Sequence, residues 1–110
     1  NAGAAINVKD KDGITPLMNA VCKKKYDVTA LLLKLGALVN DADTNEWTAL
    51  HFAAQLGHSE IAKLLISYNA EIDAKTAKPL CYTPLQLASL WNDKEMYQLL
   101  IQEGAYVYRR

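Results

Sequence analysis

The sequence predicts an all-α solenoid of stacked helix–turn–helix units, and three observations carry that prediction. The triplets Thr15-Pro16-Leu17, Thr48-Ala49-Leu50 and Thr83-Pro84-Leu85 stand 33 and then 35 residues apart. A second marker runs in step, Gly3-Ala4-Ala5-Ile6-Asn7, Gly36-Ala37-Leu38-Val39-Asn40, Asn69-Ala70-Glu71-Ile72-Asp73 and Gly104-Ala105-Tyr106-Val107, at intervals of 33, 33 and 35. Between the markers, apolar residues recur at helical spacing. Periods of this length signal repeat architectures whose units cannot bury a core alone.

Each unit is justified locally, element by element. Thr15, Thr48 and Thr83 are suited to cap a helix by accepting an orphan backbone N–H, and Pro16 and Pro84 fall at the first helical position, where no N–H is missed. Thr83 and Gln86 have capping-box spacing. The first helix turns Leu17, Ala20 and Val21 inward, then Leu50, Ala53 and Ala54, then Leu85, Ala88 and Ser89. Lys24, Gly57 and Asn92 make the tight turn. The second helix carries Val28, Leu31 and Leu32, then Ile61, Leu64 and Leu65, then Met96, Leu99 and Leu100, at i, i+3, i+4. Gly36, Asn69 and Gly104 close it at a left-handed residue.

The segments "DGITPLMNA", "NEWTALHFAAQLGHSEIAKLLISYNAEID" and "YTPLQLASLWNDKEMYQLLIQEGA" closely resemble ankyrin repeats. The resemblance covers residues 3–110. It implies a single domain over 1–110, with residues 1–9 the tail of an upstream unit and repeats at 10–42, 43–77 and 78–110. Each repeat would be a β-hairpin-like finger followed by two antiparallel helices, fingers and first helices lining a concave face. Glu46 and Cys81 stand where Gly13 supplies the turn glycine, and residues 76–82 form a finger two residues longer than its counterparts. Neither end shows a polar capping unit, so the chain is expected to be an excerpt of a longer array or to shield its ends by assembly.

Composition excludes several classes. Twelve basic residues balance twelve acidic ones, so no net field draws the chain to nucleic acid or anionic lipid. Residues 1–40 are nonetheless basic, with six Lys against three Asp, and residues 41–75 acidic, with six acids against two Lys. Two separated cysteines, Cys22 and Cys81, make neither a zinc site nor a disulfide framework. A reducing compartment, cytoplasmic or nuclear, is expected. No apolar run is long enough to span a bilayer. No catalytic set assembles, and no cofactor or metal is called for; His51 and His58 match positions that the resemblance makes structural hydrogen-bonders.

The resemblance places partner contacts at the finger residues before the Thr and at the end of the first helix. Position by position these include Ile14 and Lys23 in the first repeat, Asn45, Trp47, Gln55 and Leu56 in the second, and Leu80, Tyr82, Leu90 and Trp91 in the third. Trp47 and Tyr82 are equivalent, as are Leu56 and Trp91, and equivalent slots of a solenoid lie side by side. With Phe52 they would form an aromatic and aliphatic band of the kind that anchors protein interfaces. The bland alternative is that the tryptophans pack over the long finger. Asn40 resembles a site of asparaginyl hydroxylation.

The expected function is therefore a non-catalytic protein–protein interaction module gripping a partner segment on its concave face. Alternatives are a regulatory or targeting segment of a larger enzyme or channel, a methyl-lysine reader built around Trp47 and Phe52, and a single-strand nucleic-acid binder. The methyl-lysine reader lacks the next repeat's aromatic and its acid, since Leu87 and Gln55 stand there. The last lacks positive charge.

Overall fold

The computed structural model describes residues 6–107, so Gly3, Ala4 and Ala5 of the first marker, and Tyr108, lie outside the described residues. Six helices run through them: α1 Pro16–Cys22, α2 Tyr26–Lys34, α3 Ala49–Leu56, α4 Ser59–Ser67, α5 Pro84–Leu90 and α6 Lys94–Gln102. Helices α1, α3 and α5 stack in one row and α2, α4 and α6 in a second, each pair packing internally and against the next. The result is elongated, 48 × 28 × 20 Å. This is the all-α solenoid that the period predicts.

The helix starts form as their sequences require. Thr15, Thr48 and Thr83 sit in extended backbone, and their hydroxyls accept the N–H of Met18, His51 and Gln86. Gln86 returns its Oε1 to the Thr83 N–H at 2.9 Å, completing the expected capping box. The turns between paired helices are left-handed at Lys24, Gly57 and Asn92, and the second helices end on left-handed Gly36, Asn69 and Gly104.

The fingers are tight turns; among the described residues their only ladder pairing is an isolated antiparallel bridge, Ala42 with Thr48. The first two fold around one carboxylate each. Asp10 Oδ1 accepts the N–H of Asp12 and Ile14, and Asp43 Oδ1 that of Asn45 and Trp47, all at 2.8–2.9 Å. The longer third finger replaces the carboxylate with Thr76, whose Oγ1 accepts from Tyr82 N at 2.9 Å. Successive fingers are joined through their backbones, Thr44 N to Asp12 O at 3.1 Å and Ala77 N to Asn45 O at 2.9 Å.

A second tie repeats at the loops. Asn7 Oδ1 accepts from Leu38 N at 2.9 Å, Asn40 Oδ1 from Glu71 N at 2.6 Å and Asp73 Oδ1 from Tyr106 N at 2.9 Å. One short side chain per unit thus holds the backbone of the next unit.

Burial follows position in the stack. Leu17, Val21, Leu50, Ala53, Ala54, Ile61, Leu65, Met96 and Leu100 are buried as expected. Val28 and Leu31, expected inward, are 47% and 55% exposed, whereas their counterparts Ile61 and Met96, or Leu99, are buried. A preceding helix pair covers those slots in the second and third repeats, and no described residue does so in the first. Ser89 is also a correction: it is exposed, while its equivalents Val21 and Ala54 lie beneath the following repeat. The slot is inward only where a next unit covers it, and here a polar residue occupies it.

Backbone conformation at the finger turn yields a pair of expectations. Gly13, Glu46 and Cys81 have φ of +80°, +61° and +49°, a region that costs a side-chain-bearing residue about 1–2 kcal/mol. Glu46→Gly is expected to raise stability by about 0.5–1 kcal/mol, the gain being reduced by the greater freedom of the unfolded chain. At Gly13 a Cβ would meet Thr44 N at 2.8 Å and Asp43 Cα at 2.9 Å, pushing apart the fingers that the Thr44–Asp12 bond joins. Gly13→Ala is expected to cost about 2 kcal/mol. Urea midpoints of the two variants, moving in opposite directions, are the measurement.

Candidate partner-binding surface

The fingers position one residue in three successive slots, Ile14, Trp47 and Tyr82, each directly before a helix-capping threonine. All three are half-buried. In each finger the carbonyl of this residue accepts a bond from the finger's base: Asp10 N to Ile14 O at 3.1 Å, Asp43 N to Trp47 O at 2.9 Å and Thr76 N to Tyr82 O at 2.9 Å. The side chains are thereby fixed by the same bonds that close the turns.

Trp47 lies over its own repeat. Its ring centroid is 5.2 Å from Phe52 and 5.7 Å from His51, in tilted contacts, within the range of favourable aromatic pairing. Trp47, Phe52 and Tyr82 all pack against the hydrophobic core while keeping part of their surface open. The other predicted residues are more exposed. Leu56 is 46%, Leu80 60%, Leu90 61% and Trp91 62% exposed. Lys23 and Asn45 are exposed and Gln55 is half-buried. Trp91 is the residue that caps α5, held by backbone bonds to Leu87 and Ser89, so its indole projects from the end of the helix. Lys23 caps α1 and Leu56 ends α3 at the equivalent slots. Because α1, α3 and α5 pack side by side, these three helix ends form a row.

Behind the aromatic cluster His51 is fully buried and fully used. Its Nδ1 accepts from Thr48 N at 3.0 Å, and its Nε2–H points at the carbonyls of Ala74 and Tyr82, 2.9 Å from each. The ring therefore closes a capping box in the second repeat and ties α3 to both stalks of the third finger. This bridge is more than the sequence signalled: the H of T-A-L-H indicated a hydrogen-bonder, but the two carbonyls come from residues 23 and 31 positions away. Burial pushes the His51 pKa below the usual imidazole range, with the two carbonyls and Asp43 pulling weakly the other way. His58 is also lowered, by burial and then by Lys24. The Cys22 thiol is pushed up, by burial and then by the Asp43 carboxylate.

Among the described residues no group of three or more His, Cys, Asp and Glu could hold a metal ion, and no helix is long and apolar enough to cross a membrane. Asn40 is exposed at its loop, with its amide engaged by Glu71 N and by Asn69 O, the latter at 3.2 Å.

Comparison with known proteins agrees with this architecture. A profile of ankyrin repeats in three copies matches residues 2–76, and a single-repeat profile matches residues 81–110. The chain belongs to the ankyrin-repeat family. It is similar to inversin of Canis lupus familiaris, 39% identical over 98 residues, which covers 86% of this chain and 9% of that protein. It is similar also to the RelA-associated inhibitor of Mus musculus, 39% identical over 67 residues, 61% of this chain and 8% of that protein. Neurogenic locus notch homolog protein 1 of Homo sapiens is 32% identical over 114 residues, 91% of this chain and 4% of that protein. The chain thus spans less than a tenth of each of these relatives. Ankyrin repeats are a protein–protein interaction fold, and that is the general role of this one.

The buried histidine makes stability depend on pH. Its folded pKa lies below the unfolded value of about 6.5, so the unfolded chain binds more protons between the two values and stability falls as pH drops through that window. His51→Gln, which retains capping-box chemistry as Gln86 does, is expected to cost about 1–2 kcal/mol at neutral pH through the lost carbonyl bonds. It is also expected to flatten the acid side of the profile, leaving the contribution of His58, whose pKa is lowered too. Denaturant melts from about pH 7.5 down to about pH 5, spanning the ordinary imidazole range, measure both effects.

Proposed function

We propose that this chain is a non-catalytic recognition module that binds an extended segment of a partner protein across the concave face formed by its fingers and first-helix ends. The observation that carries the reading is the row of large apolar side chains left open on a rigid scaffold: Leu56, Leu80, Leu90 and Trp91, each close to half exposed or more. Large apolar side chains open at equivalent and neighbouring slots of a repeat array are the kind that anchor protein interfaces. Trp47, Phe52 and Tyr82 supply a firmer, half-buried flank to that surface. Ile14, Lys23, Asn45 and Gln55 complete it toward the first repeat.

Two observations favour this over the alternatives. Trp47 rests against Phe52 and His51 instead of standing apart as a wall of an open cage, and Leu87 is buried; a methyl-lysine ammonium needs several ring faces around it. The imidazole best placed for chemistry, His51, has its hydrogen-bonding capacity taken by backbone. In proteins as long as the relatives, such a module would act as the recognition or regulatory part of a larger whole, an enzyme or channel included. The name RelA-associated inhibitor ties that relative to another protein, in keeping with the same role. A cytoplasmic or nuclear setting suits two free thiols. Asn40, exposed on its loop, is the residue offered to side-chain hydroxylation.

Exposure separates binding from folding. Trp91→Ala and Leu56→Ala are expected to leave the circular dichroism spectrum and urea midpoint within about 0.5 kcal/mol of the parent while each weakens partner binding by about 2 kcal/mol. Trp47→Ala, which removes a packed ring, is expected to lose stability as well, by about 1–3 kcal/mol. Titration calorimetry with a peptide selected on the parent chain decides the matter: unchanged affinity in the Trp91 and Leu56 variants would remove the row from function.

A further inference from the structure

The row of helix ends is chemically graded, and the gradient specifies the ligand. At the equivalent slots of the three repeats stand Lys23, Leu56 and Trp91, all exposed. Lys23 makes no ion pair among the described residues; the salt bridge of Lys63 with Glu60 lies on α4. Asp43 and Asp10 each have Oδ1 engaged by two backbone N–H groups of their own finger. Lys23 is also not alone. Together with Lys9, Lys25 and one acid, Asp10, it lines a groove of about 540 Å³ that includes Val8, Ile14, Ala20 and Val28, at the end of the stack that no described residue covers. With three lysines against one aspartate along that groove, the first repeat presents net positive charge beside an apolar row that continues through the second and third.

We infer, resting on the function proposed above, that the segment bound is an acidic–apolar peptide: one Asp or Glu against Lys23, followed in the same line by one apolar side chain at Leu56 and a second, larger one at Trp91. Geometry fixes the spacing. Packed helices lie about 8–10 Å apart, and a polyproline II strand advances about 3.1 Å per residue with three residues per turn, returning the same face every ~9 Å. One peptide residue in three therefore meets one repeat. The acid at position i is matched by apolar residues about three and about six positions away, in either chain direction. The lysine contributes orientation: with apolar slots alone the segment could bind shifted by one repeat, and the charge makes that shift leave an acid over Leu56.

The test is selection from a phage-displayed library of random dodecapeptides on the parent chain, on Lys23→Glu, on the neutral control Lys23→Gln and on Trp91→Ala. These side chains are exposed, and circular dichroism confirms that each variant folds. The expected result is parent-selected peptides enriched in Asp or Glu at the stated spacing from two apolar residues. Synthetic copies should bind Lys23→Glu about tenfold or more weakly and lose affinity with added salt, Lys23→Gln should fall between, and Lys23→Glu should select Lys or Arg at the same position. Peptides that need Trp91 but show no acidic preference, and bind Lys23→Glu unchanged, would overturn this inference while leaving the recognition module standing. Peptides indifferent to both Trp91→Ala and Lys23→Glu, or none at all, would overturn both. Displacement of the peptides by a single-stranded oligothymidylate at comparable concentration would assign the row to nucleic acid and likewise overturn the inference.

Discussion

Each unit of this molecule is too small to cover its own apolar stripe, and packing within a helix pair is completed by burial against the neighbouring units. The helices run 7–9 residues, below the length at which an isolated helix persists in water. Their stability comes from faces that meet a neighbour: Ile61 and Leu65 against the preceding pair, Val21 and Ala54 beneath the following one. The same constraint explains the exposure of Val28 and Leu31. Identical slots differ in burial because a slot is apolar interior only where a neighbouring unit covers it.

Burial between pairs does not by itself set the register of one repeat on the next, and the polar ties do that. The side chains of Asn7, Asn40 and Asp73 each hold a backbone N–H of the following loop, and fingers are joined by backbone bonds at their tips. These ties are short-range and directional, so the exposed side chains standing above them inherit fixed positions. A surface with few mobile elements is suited to recognition, because ordering it on binding costs little entropy. His51 belongs to this system. It turns a helix cap into a link between repeats, beside the aromatic cluster and outside the exposed row.

The third finger shows how the scaffold absorbs a departure. Two extra residues and Thr76 in place of the aspartate still deliver the stalk bond from Thr76 N to Tyr82 O, and Tyr82 keeps the slot held by Ile14 and Trp47. The extra length is spent at the tip, where Leu80 is exposed. The left-handed turn is retained at Cys81 despite its side chain, as it is at Glu46, because the bonds at the base of the finger over-determine it.

The sequence by itself determined the period, the caps, the left-handed positions and the identity of the apolar slots. All of these are local: Thr before Pro or Ala, Gly or Asn after a helix, and i, i+3, i+4 spacing are legible within one unit. Most of the candidate surface was legible too, since equivalent slots in a solenoid must align. Tertiary structure alone decided which slots are covered. Nothing local distinguishes Val28 from Ile61, because their burial depends on a neighbour's presence. Nor could sequence show that Trp47 lies down on Phe52 and His51 while Trp91 stands exposed, because the two indoles sit at different ends of their helices and meet different surroundings. The reach of His51 to Ala74 and Tyr82 belongs to the same class, being a contact between residues that only the stacking brings together.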